Sequence, residues 1–120
     1  MRESELEKKF CRLAAQAGGK AYKFVSPGCA GVPDRIVVLP GGRVGFVELK
    51  REGEMPRKLQ QFRRAELERL GCYTAVVDSV EGAEAAIRGL ARQGPQVPAR
   101  DRLFLEMVNQ APGRAGGVLP

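Results

Sequence analysis

The chain has 120 residues, 43% of them hydrophobic and 28% charged, which fits one domain with a single core. Its formal charge of +6 favours a polyanionic partner, nucleic acid being the common case, over a merely solvated basic surface. Cys11, Cys29 and Cys72 are odd in number, widely spaced and unaccompanied by histidine, which excludes a disulfide framework or a zinc site, so any metal would be hard and oxygen-bound. No signal-type apolar segment and no span-length apolar run is present, and the expectation is a soluble cytoplasmic protein with no membrane partner.

Along the chain, Glu3 to Ala17 reads as a helix, because Leu6, Phe10, Leu13, Ala14 and Ala17 fall on one face and Gly18-Gly19 ends it. Tyr22 to Val25 is a short strand leading into the loop Ser26-Pro27-Gly28. Asp34 to Leu39 and Arg43 to Lys50 are two further strands joined by Pro40-Gly41-Gly42. Both carry apolar residues on both faces, which predicts a sheet covered on both sides. Pro56 sits near the start of a helix that runs to Leu70 and stops at Gly71. Tyr73 to Val77 is a fourth strand. Asp78 reads as the N-cap of a last helix, with Glu81 three residues on and Val80, Ala83, Ile87 and Leu90 on its inner face.

The resulting order is αβββαβα, a mixed α/β sandwich over residues 1–93. From 94 to 120 the composition turns to proline and glycine and predicts a tail, with a short docking helix near 100–110 around Leu103-Phe104-Leu105 and Met107-Val108.

The hairpin carries the chemistry. A three-residue loop sets Leu39 opposite Arg43 and therefore Asp34 opposite Glu48, and opposed residues share a face. Lys50 shares that face with Glu48, because strand side chains alternate. A two-residue loop would split the two acids between faces. Two carboxylates and a lysine converging at a strand end suit phosphodiester hydrolysis with Mg²⁺ or Mn²⁺, since such an ion needs few protein oxygens and keeps several waters. Asp34 and Glu48 are the expected metal ligands, the Leu49 carbonyl a further one, and Lys50 the group that orients water or stabilises transition-state charge. The plainer reading of an isolated E-x-K is a surface ion pair.

Lys23-Phe24-Val25-Ser26-Pro27-Gly28, Gly31-Val32-Pro33-Asp34-Arg35-Ile36, Pro40-Gly41-Gly42-Arg43-Val44, Phe46-Val47-Glu48-Leu49-Lys50, Leu59-Gln60 and Val76-Val77-Asp78-Ser79-Val80 together resemble the VRR-NUC domain (virus-type replication-repair nuclease) of the PD-(D/E)xK nuclease superfamily. The resemblance covers about residues 3 to 92. It implies a restriction-endonuclease-like fold and divalent-metal-dependent DNA cleavage in replication, recombination or repair. It also implies a homodimer acting on branched DNA such as four-way junctions. The family places a glutamate on its first helix near the metal. Glu7, at the edge of the buried arc in Leu6-Glu7-x-x-Phe10, matches best, with Glu3 one turn before it as the alternative. Gln60 matches a family glutamine that supports the site.

Lys20, Lys23, Arg35, Arg51, Arg57, Lys58, Arg63 and Arg64 are candidate phosphate contacts. The competing readings are a non-catalytic DNA-binding module and an interaction subunit that works through its tail.

Overall fold

The structure is a computed structural model that describes residues 1–93 and Met107. The expected tail, with its docking helix near 100–110, otherwise lies outside the described residues. The observed order is α1 (Glu3–Gln16), β1 (Lys20–Lys23), β2 (Arg35–Leu39), β3 (Arg43–Leu49), α2 (Lys58–Arg69), β4 (Tyr73–Val77) and α3 (Val80–Arg92), the αβββαβα succession expected. The strands form one sheet in the order β1-β2-β3-β4. The first three run antiparallel as a meander, and β4 joins β3 in parallel after the α2 crossover.

One face of the sheet holds the core. Leu6, Phe10 and Ala14 of α1 and Ala83, Ala86, Ile87 and Leu90 of α3 pack on Val37, Leu39, Val47, Leu49 and Val77, all buried. Each fully buried leucine or phenylalanine side chain contributes about 1.5–3 kcal/mol, so Leu6, Phe10 and Leu90 do most to fix the two helices on this face. Tyr73 is tied into the same layer, its hydroxyl donating to the Ala86 carbonyl at 2.9 Å.

Helix α2 lies on the opposite face, where Gln60, Gln61 and Arg64 meet Glu48 and Val76. Coverage there is unequal. No residue of α2 is fully buried, and on that face Tyr22 of the edge strand β1 and Val44 at the hairpin end of β3 are 48% and 45% exposed. A single twelve-residue helix beside β4 leaves the β1–β2 half open, so the two-sided cover that the apolar strands suggested is complete on one side only.

Local details differ from the sequence reading in two places. The first strand is Lys20–Lys23 rather than 22–25, because it pairs from Lys20 opposite Val38, and Phe24 adds one bond, its N–H donating to the Asp34 carbonyl at 2.8 Å. The N-cap of α3 is Ser79 and not Asp78: the Ser79 hydroxyl accepts from the Gly82 N–H at 3.0 Å. Asp78 instead accepts from the Gly53 N–H at 3.2 Å, tying the β3–α2 connection to the end of β4.

Gly19 begins the turn into β1 where no side chain fits. A Cβ there would collide with the Val38 carbonyl oxygen and approach Leu39 Cδ2 to 2.7 Å. Gly19→Ala is therefore expected to destabilise the protein by about 2 kcal/mol or more in urea unfolding. Gly28→Ala, where a Cβ meets nothing within 4 Å, should change stability by less than about 0.5 kcal/mol.

Candidate active site

The β2–β3 hairpin has the three-residue connection at 40–42, with Leu39 opposite Arg43 and Arg35 opposite Val47. The next rung sets Asp34 opposite Glu48, on the α2 side of the sheet. The Asp34 carboxylate accepts from the Leu49 N–H at 3.0 Å and stands within hydrogen-bonding reach of the Glu48 carboxyl. Parallel pairing continues past β3, with the Lys50 N–H donating to the Val77 carbonyl at 2.9 Å, which fixes the backbone from which Lys50 projects.

Glu48 is 3% and Lys50 8% exposed, and they are the buried charged residues among those described. Burial, the Asp34 hydrogen bond and the Asp34 charge push the Glu48 carboxyl up to about 8, with a smaller push from Glu3, while Lys50 pulls it down. Glu48 Oε1 is buried and has no hydrogen-bond partner. The Lys50 ammonium lies 3.7 Å from a Glu54 carboxylate oxygen, so an acid outside the sequence-predicted set shares its charge.

The two glutamates of α1 separate. Glu7 accepts from the Arg35 guanidinium, so its carboxylate is already engaged. The α1 acid whose charge reaches Glu48 is Glu3. Of the two candidate helix acids, Glu7 is thus held by Arg35 on the core side of β2, while Glu3 adds its charge to the surroundings of Glu48. Gln60 lines the cleft with Glu48, Pro33, Pro56 and Arg64. Its side-chain oxygen accepts from the Arg57 N–H at 2.8 Å and closes the first turn of α2, which leaves its amide nitrogen as a donor. The Lys50–Glu54 and Glu7–Arg35 pairs had no signal in the sequence: one bridges a loop, and the other joins residues 28 positions apart.

The arrangement suits a hard cation. A buried Glu48 oxygen without a hydrogen-bond partner stands beside a second carboxylate, with Lys50 as the opposing charge, and an oxygen-binding ion would offset the excess negative charge. Among the described residues no group of three or more His, Cys, Asp or Glu side chains is gathered for a metal. Mg²⁺ is commonly held by only one or two carboxylates, with waters and substrate phosphate filling its shell.

The raised Glu48 carboxyl has a consequence for stability. The folded chain binds this proton more tightly than the unfolded chain, so metal-free stability should fall as pH rises from about 4.5 to about 8 and level off beyond. Glu48→Gln is expected to remove most of that slope and to stabilise the metal-free protein above this range by on the order of 2 kcal/mol, read by urea unfolding in chelator.

No family model matches the chain. A phage protein named "Putative nuclease p44", from Acyrthosiphon pisum secondary endosymbiont phage 1, is 48% identical over 79 residues, which span 66% of this chain and 85% of the phage protein. A solved structure described as "VRR_NUC domain" superposes with a TM-score of 0.68 at 29% identity, over 72% of this chain and 94% of that one. The mixed four-stranded sheet with its flanking helices is the fold of that neighbour. With the relative's extensive identity and the acid pair set at the expected hairpin rung, the chain belongs to the VRR-NUC family.

Proposed function

We propose that this protein is a divalent-metal-dependent DNA endonuclease that hydrolyses phosphodiester bonds in branched DNA, four-way junctions above all. The observation that carries the reading is the buried Asp34–Glu48 carboxyl pair with Lys50 beside it, one Glu48 oxygen lacking any partner. A binding-only module has no use for so costly a group, because an unpaired buried carboxylate destabilises the fold. Nuclease chemistry is supported by the phage relative's name and by the VRR_NUC structural neighbour.

Asp34, Glu48 and the Leu49 carbonyl would hold Mg²⁺ or Mn²⁺, with Glu3 supplying further negative charge from α1. When bound, such an ion activates water and offsets charge on the phosphate. Lys50, oriented by Glu54, would donate to a phosphoryl oxygen as negative charge builds there. Gln60 would donate from its amide to water or phosphate across the cleft. Arg57 and Lys58, at the N-terminus of α2, would hold a flanking phosphate, where the helix dipole also favours an anion.

A homodimer belongs to the same reading. A four-way junction has two-fold symmetry, and paired cuts need two sites related by such an axis. The open apolar strip containing Tyr22 and Val44 supports a second copy as its cover.

The test is cleavage of labelled four-way junction, flap and linear duplex in Mg²⁺ or Mn²⁺. Wild type is expected to cut junctions fastest and to stop with chelator, and Lys50→Ala to lose about 10²–10³-fold in rate. Equal cutting by Lys50→Ala would overturn its role, and binding without cutting by wild type would favour the module reading. Arg57→Ala should weaken DNA binding alike across sequences and lower the slope of log affinity against log salt by about one.

A further inference from the structure

Helix α1 starts with little to hold it. Its N-cap is Arg2, which makes no side-chain cap bond, and its first buried residue is Leu6. The first N–H groups of a helix have no partner within it, so an uncapped first turn frays. Glu3, on that turn, is the α1 acid that bears on Glu48. Some other contact must keep it near the cleft.

Glu7 supplies that contact. It lies one turn after Glu3 on the same flank. Its partner Arg35 directly follows Asp34 and stands opposite Val47, which directly precedes Glu48. The ion pair therefore joins the helix to the ladder rung adjacent to the two acids. The Arg35 side chain is 12% exposed and that of Glu7 41%, so the guanidinium sits largely out of water and holds its partner firmly. We propose that the Glu7–Arg35 ion pair is a positioning strut that fixes the first turn of α1, and with it Glu3, against the strand end carrying Asp34. Neither residue would be a metal ligand; both would act through Glu3 and Asp34. This inference rests on the metal-binding reading given above.

A ligand role and a strut role for Glu7 make opposite predictions about Arg35. If Glu7 were a ligand, Arg35 would compete with the metal for it, and removing Arg35 would leave affinity intact or raise it. If the pair is a strut, removing either end has the same effect, and removing both costs no more than removing one.

The experiment is Mn²⁺ binding by calorimetry to wild type, Glu7→Gln, Arg35→Gln and the double variant, with Glu3→Gln for comparison and melting temperature recorded for each. Both single variants and the double variant are expected to bind Mn²⁺ about tenfold more weakly, the scale typical of groups that orient metal ligands. Arg35→Lys keeps the charge but loses the planar fork, and should fold and recover part of the affinity. Hydrogen exchange in the metal-free protein should show faster exchange of the Glu5 and Leu6 amides, which bond back to the Arg2 carbonyl, in Arg35→Lys than in wild type. Weakened binding in Glu7→Gln with undiminished binding in Arg35→Gln would overturn the strut and make Glu7 a ligand. A lowered melting temperature with unchanged Mn²⁺ affinity throughout would reduce the pair to a stabilising contact. Wild type that binds no Mn²⁺ would sink the metal-dependent reading itself, and the strut with it.

Discussion

The register of the β2–β3 hairpin is the constraint on which the rest depends. A strand alternates faces with every residue, so a slip of one position would send Glu48 to the core face and leave Asp34 behind. The connection at 40–42 prevents this. Gly41 and Gly42 take φ of +88° and +72°, a left-handed backbone that suits glycine and closes the loop at three residues. Arg43 donates to the Pro40 carbonyl at 2.8 Å across the loop and to the Gln93 carbonyl at 2.6 Å at the end of α3. The turn that sets the active rung is thus locked from its far end, and the parallel β4 secures the near end through Lys50.

The same register creates a conflict between stability and chemistry. It puts a carboxyl where burial, a neighbouring acid and Glu3 all oppose its charge, and a single lysine favours it. That lysine is itself shared with Glu54. A hydrophobic residue at 48 would pack more cheaply between Val76 and α2. The folded chain keeps an arrangement short of positive charge at one point, which is the condition under which a cation adds both binding energy and stability.

The sequence carried the fold wherever a local rule was sufficient. The three-residue turn, the alternation along β3 and the helical spacing of Leu6, Phe10 and Ala14 each follow from neighbours in the chain, and each is found in the structure. The Asp34–Glu48 rung was legible for the same reason, since a tight hairpin makes its pairing a local property. Long-range choices were not. Whether Glu7 is already engaged depends on Arg35, on a strand that the helix meets only after folding. Asp78 and Ser79 both satisfy the cap preference. What decides between them is the Gly53 N–H, which takes Asp78 for a different purpose. The partial cover of the second face was hidden as well, because apolar residues at alternate strand positions look alike whether a helix or nothing lies over them.

The distribution of positive charge follows from this architecture. Several of the basic side chains have an acid beside them within the fold: Glu7 beside Arg35, Glu66 beside Arg63, Glu68 beside Arg64, and Glu54 shared between Arg51 and Lys50. Arg63 also donates to the Ala30 carbonyl at 2.8 Å and ties the loop before Asp34 to α2. Arg57 and Lys58, at the start of α2, make no ion pair among the described residues, and Arg57 lines a groove with Gly31, Leu59 and Gln60. Their charge adds to the positive end of the α2 dipole rather than being cancelled. A net charge of +6 spread evenly would attract a polyanion without orienting it. On α2 itself Arg63 and Arg64 have acids one turn on, whereas Arg57 and Lys58 stand at the start of the helix whose Gln60 lines the cleft with Glu48, so a phosphate drawn to that helix end arrives on the carboxylate side of the sheet.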